Sequence, residues 1–285
     1  MSQFKDLLNI LDLKQESENV FTGVSLDIGS FAVYGGQVLA QAVTAAGRMC
    51  NDNKVLHSLH SYFLRPGDIS IPITYDVEVI KEGRSFNALR VKALQNNKTI
   101  FIMAASYHIP EEGIHHQIAM PNVAQPESLT SFSDLFAQFA EKFDMKPKGI
   151  FSPDSPIIFH PVEHYDPFNP GIRPPYNHTW FKINGELADS NIKLNQAIMT
   201  YASDFNLLIT AMMPHNMSMF TDPVRIASLD HAMWFHSDVD LNDWILYAVD
   251  SPYAGNARGY CTGKMYTRDG KLVASVTQEG LIRKM

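Results

Sequence analysis

From residue 245 to 282 apolar and polar positions alternate in short runs, broken by Gly, Pro and an Asp-Gly pair, which predicts three β-strands. In the last run Leu272, Ala274 and Val276 fall on one face and Val273, Ser275 and Thr277 on the other. Gln278 continues the apolar face and Glu279 the polar one. A carboxamide aimed at a core costs roughly 1–3 kcal/mol unless it is hydrogen-bonded. Gln278 is therefore either a satisfied structural amide or part of the lining of a pocket.

At the other end, MSQFKDLLNILDLKQES has the spacing of a short amphipathic helix, and residues 19–27 follow as a strand. Tyr34-Gly35-Gly36 opens GGQVLAQAVTAAGRM, a predicted helix to about Met49. It is apolar or small around most of its circumference, so it belongs inside the protein, where its alanines let other backbones come close. Strands are predicted at 55–64, 73–79, 86–94 and 100–108, the last two joined as a hairpin at Asn96-Asn97-Lys98.

The chain also matches itself. Residues 75–106 lie over 247–278 at a constant offset of 172 without a gap: Tyr75 meets Tyr247, Val77 meets Val249, Gly83 meets Gly255, and Asn97-Lys98 falls on Asp269-Gly270. One residue of slack upstream brings 57–63 onto 228–234 and pairs His60 with His231. A duplicated unit then needs a second strand and a second buried helix, and 180–183 and 194–212 have those patterns. Each unit reads as a strand, a buried helix and several antiparallel strands, a curved sheet wrapped around its helix. The fold class expected is α+β, a double hotdog, with units at 1–113 and 156–285. A connector at 114–155 carries one amphipathic helix, where Phe132, Leu135, Phe136, Phe139 and Phe143 form the docking stripe.

Composition narrows the function classes. The chain of 285 residues is 45% hydrophobic and 19% charged, as in soluble globular proteins, and has no apolar run of membrane-spanning length or secretory signal pattern. A net charge of −7 argues against nonspecific nucleic-acid binding. Cys50 and Cys261 lack metal or redox spacing, which points to a reducing cytoplasm, with no metal and no cofactor expected.

Asp204 is a second oddity: with Ala197, Tyr201 and Leu208 it falls on the stripe of the second helix meant for the core. Buried carboxylates are rare unless partnered. The first helix has no acid at all, so a fold that uses both helices does not require one. Ser228 opens the run SLDHAMWFH and by pattern alone is an ordinary strand serine. In regular strands His57 and His60 face opposite sides, as do His231 and His236, which disfavours chelation and suits hydrogen-bonded core or rim histidines. No Gly-x-Ser-x-Gly elbow is present. Gly35-Gly36 marks a helix N-terminus with free backbone N–H groups to offer an oxyanion.

Six stretches together carry a resemblance: VYGGQVLAQAVTAA, LHSLHSYFLRPGD, YASDFNLL, IASLDHAMWFH, WILYAVDSPYAGNARGY and DGKLVASVTQEGLIR. In this order, over nearly the whole chain, the sequence resembles the type II acyl-CoA thioesterases. The resemblance implies a double-hotdog enzyme hydrolysing acyl-CoA to fatty acid and CoA without a covalent intermediate. It implies a catalytic trio on Asp204 in YASDFN, Ser228 in IASLDH and Gln278 in VTQEG, with many relatives carrying Thr in place of Ser228. Gly36 and His57 are expected to bind substrate. A homodimer or homotetramer is also implied. The alternatives are a double-hotdog enoyl-CoA hydratase, which would need a His paired with Asp204, and a non-catalytic acyl-CoA-binding module.

Overall fold

The computed structural model describes residues 3–51, 53–140, 149–163, 166–188 and 190–285. The first half holds α1 (Gln3–Leu11), β1 (Lys14–Ser17), β2 (Val20–Gly23), α2 (Gly35–Arg48), β3 (Val55–Phe63), β4 (Ile73–Glu82), β5 (Phe86–Gln95) and β6 (Lys98–His108). A connecting helix, α3 (Phe132–Ala140), precedes the second half. That half holds β7 (Ile157–Pro161), β8 (Tyr176–Ile183), α4 (Ile192–Ser203), β9 (Val224–Ser228), β10 (Asp230–Phe235), β11 (Ile245–Gly255), β12 (Arg258–Thr267) and β13 (Leu272–Lys284).

All strands join one antiparallel sheet ordered β1-β2-β4-β5-β6-β3-β10-β13-β12-β11-β8-β7, with β9 added on β13. The order β2-β4-β5-β6-β3 is repeated as β8-β11-β12-β13-β10, and the two halves meet where β3 pairs with β10. This is the double hotdog. α2 is buried along nearly its whole length because Ala40, Ala42, Ala45 and Ala46 face neighbours on every side. Its buried Gln41 is satisfied, donating to the carbonyls of Ile10 and Val24 and accepting from the Tyr75 hydroxyl. α2 and α4 run antiparallel: Gly36 abuts Tyr201 at one end, and at the other Lys193 Nζ donates to the Cys50 carbonyl.

The register corrects the gapless self-match in its last strand. Offset 172 carries β5 onto β12, and the β-bulge at Val79–Lys81 of β4 recurs at Asp250–Tyr253 of β11. The hairpins then differ. Asn96 and Asn97 both take positive φ in a two-residue turn, whereas β12 and β13 are joined through Arg268, Asp269 and Gly270, Gly270 alone having positive φ. The extra residue shifts the last strand by one: Leu89 pairs with Ala105, while its counterpart Cys261 pairs with Gln278. A one-residue slip flips every side chain to the other face of a strand. The counterpart of Gln278 is thus Ala105 rather than Ser106. Because Ala105 pairs with Leu59, and His231 lies across from Gln278, His231 corresponds to Leu59 and not to the exposed His60.

Other departures are local. β1 reads KQES, exposed throughout, and offers no apolar signal. α4 ends at Ser203, short of the expected 212, and continues as 3-10 turns after Asn206 takes positive φ. Leu135 and Phe136 of α3 are buried, with Phe136 against Phe151, Phe168 and Phe220. Phe143 of the expected stripe lies outside the described residues.

Candidate active site

Where the N-terminus of α2 meets the C-terminus of α4, three polar side chains from separate elements converge. Asp204 is the C-cap of α4, Ser228 ends β9, and Gln278 lies on the inner face of β13 with 1% of its surface exposed. Gln278 Nε2 donates to Ser228 Oγ at 2.8 Å and lies close enough to the Asp204 carboxylate to favour its ionised form. Ser228 Oγ donates to Asp204 Oδ1 at 3.5 Å, long enough to leave the hydroxyl free to turn toward a reactant. Ser228 is thereby seen to close a strand rather than open one. Leu229 bulges between β9 and β10, which turns Ser228 toward the helix ends.

A carboxylate at a helix C-terminus faces the negative end of the helix dipole. Here the N-terminus of α2 supplies the opposite end, and the backbone of Gly36 favours the ionised Asp204 carboxylate. Burial dominates nonetheless: desolvation pushes Asp204 up to about 6, against the hydrogen bonds from Gln278, Gly36 and Ser228 that hold it down. Two tyrosines secure the end of α4. Tyr34, the N-cap of α2, donates its hydroxyl to the Tyr201 carbonyl at 3.0 Å, and Tyr247 donates to the Ser203 carbonyl at 2.8 Å. Both satisfy carbonyls that the end of the helix leaves without partners.

Close approach requires both glycines of the α2 start. A Cβ on Gly35 would stand 2.6 Å from Asp204 Oδ2, and one on Gly36 would stand 2.3 Å from the Tyr201 carbonyl oxygen. Gly36 is therefore part of the constellation, through its backbone. His57 is not brought to it. His57 sits at the bulge near the opposite end of β3, its Nε2 2.8 Å from Ser106 Oγ and its ring edge-on to Phe86 and His108.

Behind the trio lies a layer that pattern reading did not single out. His231 Nδ1 is 2.5 Å from Gln278 Oε1, and its Nε2 is 2.9 Å from Ser203 Oγ. Period-two spacing leaves His231 among core or rim histidines, and only the register sets it opposite Gln278. Tyr247 gave no signal beyond an ordinary strand tyrosine. Among the described residues no group of three or more His, Cys, Asp or Glu side chains is placed to hold a metal ion, and no helix is long and apolar enough to cross a membrane.

Comparison with known proteins identifies the family of the chain. A family profile described as "Acyl-CoA thioesterase" matches residues 149–281, and one described as "Acyl-CoA thioesterase N-terminal domain" matches residues 25–108. A Haemophilus influenzae protein named acyl-CoA thioesterase 2 is 40% identical over 278 residues, covering 98% of this chain and 97% of that protein. The chain belongs to the acyl-CoA thioesterase family. A human relative, acyl-coenzyme A thioesterase 8, is 33% identical over 96% of this chain and 88% of its own length. Among solved structures, an acyl-CoA thioesterase II from Mycobacterium marinum superposes with a TM-score of 0.80 at 34% identity, covering 98% of both chains. A hotdog protein from Alicyclobacillus acidocaldarius, 15% identical over 98% of both chains, superposes at 0.78 and shares the fold.

Proposed function

We propose that this protein hydrolyses acyl-CoA thioesters to free fatty acid and CoA, using one water activated by Asp204 and aligned by Ser228 and Gln278. The observation that carries the reading is the convergence of these three side chains on one point. It involves a carboxylate whose raised pKa suits a general base near neutral pH. Membership of the thioesterase family supports the substrate class.

In this mechanism Asp204 takes a proton as the water oxygen bonds to the thioester carbon. The carbonyl π electrons move onto oxygen, forming an oxyanion beside the N-terminus of α2, where the helix dipole opposes its charge. Collapse re-forms the carbonyl, breaks the C–S bond and releases CoA sulfur, which recovers the proton from Asp204. In this reading serine is not acylated: among the described residues Ser228 Oγ hydrogen-bonds Gln278 and Asp204 and no histidine, and Asp204 is assigned to the water. The cleft lined by Phe132, Phe151, Ile209, Met212 and Phe220, next to Asn206, is apolar but encloses only about 30 Å³, so an acyl chain would have to part these side chains to enter it.

General-base catalysis contributes about 10²–10⁴-fold, so Asp204→Asn is expected to lose at least that range. The test is thiol release from acyl-CoAs of graded chain length, with wild type and variant in parallel. Near-normal turnover by the variant would remove Asp204 from the mechanism. Tight acyl-CoA binding with no turnover by either protein would favour a binding module. The hydratase reading needs a histidine on Asp204, whereas both nitrogens of His231 are engaged elsewhere. We further propose a cytoplasmic homodimer or homotetramer, since Tyr62, Ile80 and Phe86 stand exposed on the sheet of the first unit. Light scattering showing only monomer would overturn the assembly.

A further inference from the structure

We infer that His231 is a positioning residue: held as its Nδ1–H tautomer, it fixes which end of the Gln278 carboxamide faces Asp204 and Ser228. The inference rests on the site proposed above and deepens it. A carboxamide has two ends of nearly the same shape, and only its surroundings decide where the oxygen and the nitrogen lie. An ionised carboxylate only accepts hydrogen bonds, so the amide nitrogen must face Asp204, from where it also reaches Ser228 Oγ at 2.8 Å. Gln278 Oε1 is then left at the other end, 2.5 Å from His231 Nδ1. Two bare lone pairs would repel at that distance, so the histidine nitrogen carries the proton.

A neutral imidazole has one N–H, which makes Nε2 an acceptor, and Ser203 Oγ lies 2.9 Å from it. Burial holds His231 down at about 4, so the ring is neutral at physiological pH. Ser203 Oγ also donates toward the Thr200 carbonyl at 2.8 Å, so its single proton is shared between that carbonyl and the bare Nε2 of His231. Run backwards, the chain satisfies its far end more fully: Ser203 donates to Thr200, His231 Nε2 to Ser203, and the amide nitrogen to His231 Nδ1. That direction sets Gln278 Oε1 against the Asp204 carboxylate, so the charge selects the forward one. The relay thus ties a proton deep in the core to the orientation of the amide at the site.

The internal repeat separates this role from one in folding. By register, the first unit has Leu59 where the second has His231, Ala105 in place of Gln278 and Leu56 in place of Ser228. Met49 caps α2 as Asp204 caps α4. The same architecture closes without any of the four polar groups. His231 therefore accompanies the site rather than the fold.

The test measures kcat and KM separately for wild type, His231→Leu, His231→Asn and Asp204→Asn. Leucine is the residue that the first unit itself uses. The asparagine amide nitrogen can stand near the Nδ1 position and donate to Gln278. Expected are a kcat loss on the order of 10²-fold in the leucine variant with KM little changed, and substantial recovery in the asparagine variant. Wild-type kcat in the leucine variant, with Asp204→Asn inactive, would overturn the inference while leaving the site reading intact. An active Asp204→Asn would instead sink the site reading. Equal losses in the leucine and asparagine variants would reduce His231 to packing and overturn the inference too. Independently of any variant, the ¹⁵N spectrum of His231 in the wild type should show protonated Nδ1 and bare Nε2, and the opposite tautomer would refute it.

Discussion

Asp204 links acid–base chemistry to stability. Its pKa is raised from 3.8 to about 6 in the native protein, mainly by desolvation, so the native state holds a proton that the unfolded chain has lost. The sign follows: this group weakens the fold as pH rises from about 4 through about 6. The cost above that approaches about 3 kcal/mol. Asp204→Asn, uncharged at every pH, should therefore melt higher than wild type at pH 7.5 and show little advantage at pH 4. Paired melting curves at the two pH values check this, and a variant less stable than wild type at pH 7.5 would contradict it. Activity should move oppositely. If the ionised form is the base, kcat/KM should fall about tenfold per pH unit below about 6, an acidic limb that a pH–rate profile will show or lack. The same residue both weakens the fold and is proposed to drive the reaction, as expected of a group retained for chemistry.

At the scale of elements, the site depends on two helix ends meeting head to tail, and the glycines set how closely they meet. Gly36→Ala would drive a methyl group into the backbone oxygen of Tyr201, which cannot move without moving α4. It should destabilise the protein by about 1–3 kcal/mol and lower activity together. Gly35→Ala would instead strike the Asp204 carboxylate, a side chain that can swing aside, so activity should fall with little change in melting temperature. Similar melting losses in the two variants would argue against this division. Periodicity made the elements legible: the alternation through β13 put Gln278 inward, and the alanines of α2 marked it as buried. It did not reveal the end of α4, because Asp204 and Phe205 fit a continued helical stripe while Asn206 turns the chain out of it. Nor did it reveal β1, whose four exposed polar residues pair through backbone alone. His57 shows the limit from the other side: sequence places it at the start of a strand shared by both units, and only the register shows that it stands at the far end from Ser228.

The whole molecule is two copies of one unit with a pseudo-twofold between them, so α2 and α4 make two junctions. One holds Asp204, Ser228 and Gln278; the other, where the C-terminus of α2 meets the N-terminus of α4, opens into a wider cavity of about 820 Å³ beside Thr44, Cys50, Tyr107 and Gln196. Its counterparts to the polar trio are Met49, Leu56 and Ala105, none of which can accept a proton or hold a water. A gapless comparison of sequences hides this, since it sets Ser106 opposite Gln278 and leaves a hydroxyl where the register leaves a methyl group. Space alone does not make a site: the roomier junction should be silent and the crowded one active. Titration with a tight-binding, non-hydrolysable acyl-CoA analogue should therefore abolish activity at one equivalent per chain in wild type. In Asp204→Asn no residual turnover should survive from the second junction. An end point of two equivalents, or turnover in Asp204→Asn that is itself lost on mutating residues around Cys50 and Gln196, would show that the first unit kept a working site after the duplication.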